Sequence, residues 1–551
     1  MKKILLATIS VAFISALNAQ SFEWGGAFGG VGEDVVRAMA VDDEGNIYTT
    51  GYFTDTSDLD PTENTDNRES NGFFDIFIQK VNTEGNLVWA RTFGGTFFDY
   101  GTGVEADDDG NVYITGVFQE TVDFDPGEGT FELTSNGSED IFALKLDSDG
   151  DFVWAVGMGS PFYEEPVSVG VDGLGNVYVG GYFSNTIDFD PGEGVTNINT
   201  NGGQDIFVVK LDQDGNFLLA GGLGGPEQDL CLGMDVSSGG DVYLTGAFNE
   251  TADFDPGPGE QLRTSLGNFD GFITKLNALG EHSYTVTFGG TDSDIAWDVA
   301  LDAQGNAYAA GGFRGQFQSG FDVPPDAVGS EDVFVVKVNP FGAIEWARAL
   351  QGDDFQQAYD VNTDPFGNGV IAGYFANEMD FDPGEGEEIV TAISTEPFDG
   401  FVSVLSSNGE YVYGGGFGGS NFVEHHGVDT DSEGNIYLSA GFQNTVDLDP
   451  SEGESNVSSV AFRDSYIIKL AAGTVSTENS ELPEIKVFPN PATDFITAEG
   501  ISQAPYTILD VTGKVVSQGI LNSQRIDVSD LNEGLYILNI RGFQPTKVVV
   551  R

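Results

Sequence analysis

A turn and strand of the form G-N-x-Y begins at Gly45, Gly110, Gly175, Gly240, Gly305, Gly367 and Gly434, in steps of 65, 65, 65, 65, 62 and 67 residues. Gly240-Asp241 and Gly367-Asn368-Gly369-Val370 are its degenerate copies. Self-similarity at a fixed period constrains a fold more than composition does, because each copy must bury its apolar face against the next. Three other markers keep the period. An aromatic-rich segment ends in Gly-Gly, as in Leu87-Val88-Trp89-Ala90-Arg91-Thr92-Phe93-Gly94-Gly95. A D-F-D-P-G stretch recurs, as at Asp123-Phe124-Asp125-Pro126-Gly127, and an apolar run ends in lysine, as in Asp205-Ile206-Phe207-Val208-Val209-Lys210.

The apolar residues of each unit alternate or run continuously over short stretches bounded by Gly, Asp, Asn and Pro, which predicts four β segments and no helix. The D-E-G-N and D-D-G-N tetrads supply residues that tolerate the left-handed backbone of tight hairpins. Four antiparallel strands per repeat is the blade of a β-propeller. The ends of the array point to closure. The chain opens with a lone Gly-Gly segment, Phe22-Glu23-Trp24-Gly25-Gly26-Ala27-Phe28-Gly29-Gly30, whereas the seventh copy stops after Asp464-Ser465-Tyr466-Ile467-Ile468-Lys469 without one. A ring whose last blade borrows its missing strand from the N-terminus leaves no exposed edge. The expected fold is therefore all-β: a seven-bladed β-propeller closed by an N-terminal strand, with a small β-sandwich after it. The D-x-x-G-N-x-Y-x-x-G-x-F and D-x-F-x-x-K patterns, over about residues 22–470, resemble the bacterial β-propeller repeat of the seven-bladed type found in many exported proteins. That resemblance implies a fold and no particular function.

Lys2 and Lys3 precede an apolar run over residues 4–17, and Ala19 offers a small residue before Gln20, the pattern of a secretory signal peptide. No later stretch is long and apolar enough for a transmembrane segment in the mature chain. After Leu470 the repeat ends and a polar linker follows. The chain divides into a signal peptide at 1–19, a propeller at 20–470, a linker at 471–483 and a C-terminal domain at 484–551. This last part carries Val487-Phe488-Pro489-Asn490-Pro491-Ala492-Thr493-Asp494, Leu509-Asp510-Val511-Thr512-Gly513-Lys514-Val515-Val516, Leu531-Asn532-Glu533-Gly534-Leu535-Tyr536 and the terminal Lys547-Val548-Val549-Val550-Arg551. These motifs closely resemble the C-terminal sorting domain of type IX secretion, the outer-membrane export route of Bacteroidetes. The resemblance implies the type IX machinery as a partner, and a secreted or outer-membrane surface-attached location reached through the periplasm.

The 88 acidic residues outweigh the 21 basic ones, for a net charge of −67. Such a field repels phosphate backbones, so nucleic acid is excluded as a partner. Cys231 is the single cysteine and, lying between Leu230 and Leu232, is expected to be buried and inert.

The D-F-D-P-G loop places Asp, Asp and Glu at i, i+2 and i+5 in five copies: Asp58, Asp60, Glu63; Asp123, Asp125, Glu128; Asp188, Asp190, Glu193; Asp380, Asp382, Glu385; Asp447, Asp449, Glu452. Three hard carboxylates in six residues make these loops candidate structural Ca²⁺ sites, against the alternative of solvated turns copied with the repeat. No other cofactor is required. His425 and His426 occupy the repeat positions of Val36 and Arg37, near the start of the expected innermost strand, and are candidate ligand-binding residues at the central channel. The recurring Lys80, Lys145, Lys210, Lys275, Lys337 and Lys469 are expected to pair with neighbouring Asp residues. Gly414-Gly415-Gly416-Phe417-Gly418-Gly419 satisfies G-x-G-x-x-G, yet it lies on the repeat's strand and opens no helix. The expected function is a surface or secreted binding module for a glycan, a protein or a surface. A polysaccharide-active glycosidase or lyase with its site in the channel is the alternative, and a structural surface role the third. Departures from the repeat cluster in copies five to seven, at residues 321–325, Gly369-Val370, Val404 and His425-His426, which is where function is to be sought.

Overall fold

A computed structural model describes residues 20–318, 326–393, 398–451, 453–472, 486–498, 504–509, 515–521, 525–529, 531, 534–540 and 546–551. The expected signal peptide, most of the linker, the 321–325 departure and Glu452 lie outside the described residues. The chain divides into two compact units, Met1–Ala472 and Gly473–Arg551.

The first unit is built of antiparallel sheets with no helix among the described residues. Among the described residues its sheets include seven four-stranded meanders, the first running Asp34–Val41, Ile47–Phe53, Asp75–Val81, Leu87–Phe93, with short hairpins such as Thr56–Asp58 with Asn67–Glu69 beside them. The seventh is completed out of sequence. Strand Ser21–Gly30 pairs antiparallel with Asn456–Ala471, from Ser21 opposite Ala471 to Phe28 opposite Ser465. The first strand of each sheet lies against that of the next, and Val423–Thr430 of the seventh lies against Asp34–Val41 of the first. Ser465 Oγ links this last junction, accepting from Val36 N at 2.9 Å and donating to Asp34 O at 2.8 Å.

Second strands such as Ile47–Phe53 and Val112–Phe118 are buried at every position. A strand covered on both faces reads as a continuous apolar run, which is why these segments show no alternation. The core runs across sheet boundaries. Tyr48 and Ile78 of the first sheet pack with Val112 and Phe142 of the second, and Phe28, Val36 and Phe77 pack with Tyr437 and Ile467 of the seventh. Outer-strand tryptophans reach across in the same sense. Trp24 Nε1 donates to Thr83 O at 2.9 Å, its ring lying on Gly85, whose φ of 82° and missing Cβ leave room for it.

The motif tyrosine and lysine are cross-strand partners, as Tyr48 opposite Lys80. The ammonium lies over the ring at 4.7 to 5.6 Å in the six copies that carry both residues. Four of these lysines also pair with a carboxylate: Lys210 with Asp172, Lys275 with Asp241, Lys337 with Asp302 and Lys469 with Glu23. The main contact is thus a cation over a tyrosine face, joined in part by the expected ion pairs. In the sixth sheet Val370 and Val404 replace both members at once and face each other.

In the second unit, a three-stranded sheet of Val487–Phe488, Phe495–Ala498 and Arg525–Asp527 accompanies a four-stranded one ordered Val515–Leu521, Ala504–Leu509, Gly534–Ile540, Thr546–Val550. Ile496 and Ile526 of the first and Leu538 and Val548 of the second share one core, the sandwich expected from the alternating runs.

Candidate functional site

The register between first and second strands slips at the same place in every sheet: Val36/Ala38, Gly101/Gly103, Pro166/Ser168, Cys231/Gly233, Ala296/Asp298, Ala358/Asp360 and His425/Gly427. A β-bulge inserts one residue and re-aims its side chain. The seven bulged residues are Arg37, Thr102, Val167, Leu232, Trp297, Tyr359 and His426, and all of them line one cavity of about 540 Å³ enclosed by the first strands. The bulge is common to all copies while its side chain differs in each, so the fold supplies seven equivalent positions that the sequence fills asymmetrically. Val167 and Leu232 form an aliphatic arc. Trp297, Tyr359, His426 and Arg37 form an aromatic and basic one.

Within the second arc the Trp297 and Tyr359 rings lie 4.8 Å apart, and His426 meets Tyr359 edge-on at 6.1 Å. Trp297 Nε1 is buried and has no hydrogen-bond partner. Arg37 stands over the Tyr100 ring at 4.5 Å and lies 3.6 Å from Glu165, which also accepts from Tyr100 Oη at 3.0 Å and Tyr163 Oη at 2.8 Å. Glu424 lies 3.3 Å from both Arg463 Nη2 and His426 Nε2, the latter contact lacking hydrogen-bond geometry. Burial raises the Glu165 carboxyl above the usual range against the opposing pull of Tyr163, Arg37 and Tyr100. Burial acts on Glu424 in the same sense, but His426, Arg463 and Arg37 together hold it below.

Next to the bulges the cavity wall is carboxylic. Each group also ties its strand to the following one: Asp235 Oδ2 accepts from Leu301 N at 2.8 Å, Asp298 Oδ2 from Val361 N at 3.2 Å, Asp360 Oδ2 from Val428 N at 2.6 Å and Asp429 Oδ2 from Val41 N at 2.6 Å. The last bond joins the seventh sheet to the first. The Asp298 and Asp360 carboxyls lie close enough that the charge of one raises the other. Burial pushes Glu105 up to about 8, Asp429 to about 7 and Asp235 to about 6, with neighbouring carboxylates adding to the effect, and raises Asp360 together with the charge of Asp429.

Of the two histidines singled out from sequence, the structure places only His426 on the cavity. His425, one residue earlier, is fully buried, with Nδ1 3.0 Å from Phe401 O and Nε2 2.8 Å from Tyr466 Oη. Burial pulls it down to about 4. Cys231 is likewise buried, its thiol pushed up to about 12 by burial.

The acidic loops are not gathered at the cavity; each closes on itself. Asp123 Oδ1 accepts from Asp125 N and Phe131 N, and Asp125 Oδ1 from Gly127 N, while Phe124 between them is fully buried. The same bonds recur at Asp58, Asp60, Asp188, Asp190, Asp380, Asp382, Asp447 and Asp449. Glu63, Glu128, Glu193 and Glu385 stand exposed on these loops. Among the described residues no three His, Cys, Asp or Glu side chains are grouped to hold a metal ion.

The sequence reading passed over Arg37, Trp297, Tyr359 and the carboxylic wall. The signal was available: aligning the copies on G-N-x-Y puts Arg37, Thr102, Val167, Leu232, Trp297, Tyr359 and His426 at one repeat position that no two copies fill with the same residue.

Residues 486–551 match the family of secretion system C-terminal sorting domains. The second unit is therefore a type IX sorting domain, which implies export and a cell-surface or secreted location. The chain is similar to an uncharacterized WD repeat-containing protein of Acanthamoeba polyphaga mimivirus, 23% identical over 272 residues, covering 42% of this chain and 19% of that one. It is also similar to the regulatory protein FlaEY of Caulobacter vibrioides, 22% identical over 396 residues, covering 58% of this chain and 40% of that one. It thus spans less than half the length of either relative. Among solved structures, a protein of unknown function from Bacteroides caccae has a TM-score of 0.30 at 12% identity, covering 62% of this chain and 89% of that chain. PorZ, a surface component of the type IX secretion system of Porphyromonas gingivalis, has 0.22 at 9% identity, covering 96% of this chain and 100% of that chain.

Proposed function

We propose that this chain, exported through its sorting domain, is a surface or secreted binding module: a closed seven-bladed β-propeller whose channel takes a ligand at the ring of bulged side chains. On this reading residues 1–19 are the leader, 20–470 the propeller and 484–551 the domain that engages the type IX machinery. Closure is supported by the Ser21–Gly30 pairing and by the bonds from Trp24 to Thr83 and from Asp429 to Val41. The observation that carries the binding reading is the set of seven bulges at one position, aimed into one cavity and filled by seven different side chains. A cavity of about 540 Å³ that joins an aromatic arc to convergent carboxyl and basic groups is of ordinary size for a small-molecule or saccharide site. Screening the mature chain against glycans and small metabolites is expected to yield a ligand whose affinity falls at least about tenfold in Trp297→Ala, some 1.4 kcal/mol, at unchanged melting temperature. Ligands indifferent to Trp297, Tyr359 and His426 would sink the channel as the site.

A second reading is favoured by Glu165 and Glu424. One carboxyl is raised and the other lowered, and both feel Arg37, which is the divergence that glycosidic acid and nucleophile pairs require. Product release from a polysaccharide, lost in both Glu165→Gln and Glu424→Gln, would mark an enzyme; binding without product marks the module.

A further inference from the structure

We infer that the channel ligand carries an ammonium group, seated between the Trp297–Tyr359 ring pair and the Asp298–Asp360 carboxyl pair. The inference rests on the channel reading above and names its ligand chemistry.

The geometry comes from two neighbouring strands with the same local sequence order, aromatic then Asp. Trp297-Asp298 and Tyr359-Asp360 bulge at the same position, which sets the two rings 4.8 Å apart and brings the two carboxyls that follow them within each other's field. Aromatic faces beside carboxylates are the surroundings in which an alkylammonium is best held, because the ring quadrupoles and the anions attract the same charge.

The charge of the wall points the same way. Six carboxyl groups line the cavity, Glu105, Glu165, Asp235, Asp298, Asp360 and Asp429, against the guanidinium groups of Arg37 and Arg463. Both arginines are engaged elsewhere. Arg37 is held by Glu165 and the Tyr100 ring, and Arg463 by Glu424 and the Phe422 ring at 4.8 Å. The remaining base of the lining, His426, lies 3.3 Å from Glu424, so among the described lining residues no cation is paired with Asp298 and Asp360, which face each other and, through Asp360, Asp429.

A bare metal ion fits less well. One oxygen each of Asp235, Asp298, Asp360 and Asp429 is committed to the next strand's N–H, no three acidic side chains are grouped as ligands, and a hard divalent ion gains nothing from indole and phenol faces. An anionic ligand would be repelled by these carboxyls, and a neutral one would not draw on their charge.

Before a cation binds, these carboxyls hold protons that it displaces. Burial and the Asp360 charge raise Asp298 well above the ordinary carboxyl range, and Glu105, Asp429 and Asp235 are raised as well. Amine binding is therefore coupled to proton release, and the affinity for an amine that stays charged rises with pH from 6 to 8.

The test is calorimetric titration of the mature full-length chain with three probes: spermidine, glucosamine trimer, and the fully N-acetylated trimer, which has the shape of the second without its charge. The expected result is binding of at least one amine, spermidine if the site takes a linear polyamine and the glucosamine trimer if it takes an amino sugar. The acetylated trimer should bind at least tenfold more weakly, and heats should vary with the ionisation enthalpy of the buffer. Asp298→Asn with Asp360→Asn, which preserves shape and a hydrogen bond, should weaken the amine at least tenfold at unchanged melting temperature. Spermidine binding that survives both this double variant and Trp297→Ala is attraction to the acidic surface and overturns the inference. Equal binding of the acetylated trimer, lost in Trp297→Ala, overturns the ammonium and leaves the channel reading standing. Failure of every probe, together with a ligand screen indifferent to Trp297, brings down both.

Discussion

The His425 ring is held on one side by the Phe401 carbonyl and on the other by the Tyr466 hydroxyl, with Phe417 edge-on at 5.1 Å. Replacing it by alanine leaves a cavity and a buried hydroxyl without its partner, so His425→Ala is expected to destabilise the first unit by about 2–4 kcal/mol in chemical denaturation. Ligand binding by the folded variant should be unchanged. The ring stays neutral between pH 5 and 8, since burial pulls it down to about 4. Its contribution is present above the ordinary imidazole value near 6.5 and is lost as pH falls through the folded value. An imidazole signal that titrates near pH 6.5 would contradict this placement. The pair was legible in the sequence as two polar residues at the start of an inner strand. Which of them faces the channel was not, because the bulge between His425 and Gly427 reverses the simple alternation from which facing is read.

At the scale of elements, two repeated motifs that look chemical engage polar atoms within the fold. The D-F-D-P-G loop buries its Phe and spends both Asp Oδ1 atoms on backbone N–H groups, so its carboxylates act as turn closures. Addition of Ca²⁺, or of a chelator, is accordingly expected to leave the melting temperature of the mature chain unchanged. A rise of several degrees with Ca²⁺ would give these loops an ion, by the linkage of ligand to folding. The tyrosine of G-N-x-Y and the lysine of D-x-F-x-x-K, some 30 residues apart, form one cross-strand unit. Their joint replacement by Val370 and Val404 in the sixth sheet is readable from the sequence as a coupled change. Taken singly, the two look like functional departures; opposite each other they are one apolar contact substituted for one polar contact.

At the scale of the whole first unit, buried carboxyls set the response to pH. Asp34, Glu164, Asp205, Asp229 and Asp294 are raised to about 7, and Asp75, Asp99, Asp140, Asp270 and Asp464 to about 6, with burial the largest cause in each. The unfolded chain releases these protons near pH 4. Between pH 4 and 7 the folded state therefore binds more protons. The stability they confer is fully present below the unfolded value and is lost as pH rises through 6 to 7. The net charge of −67 acts in the same direction, since acidification relieves its repulsion. The melting temperature is expected to be higher at pH 5 than at pH 8, and a flat or inverted profile by calorimetry would contradict this burial. By itself the sequence determined the all-β repeat, its period, the sorting domain and the spare N-terminal strand, because periodicity and turn residues are local properties of the chain. Only the tertiary structure decided where that strand pairs, that seven bulged side chains meet in one cavity, and that Trp297 and Tyr359 stand together above facing carboxyls. Those juxtapositions join residues some 60 to 450 positions apart, and no local pattern encodes which copies of a repeat will confront one another.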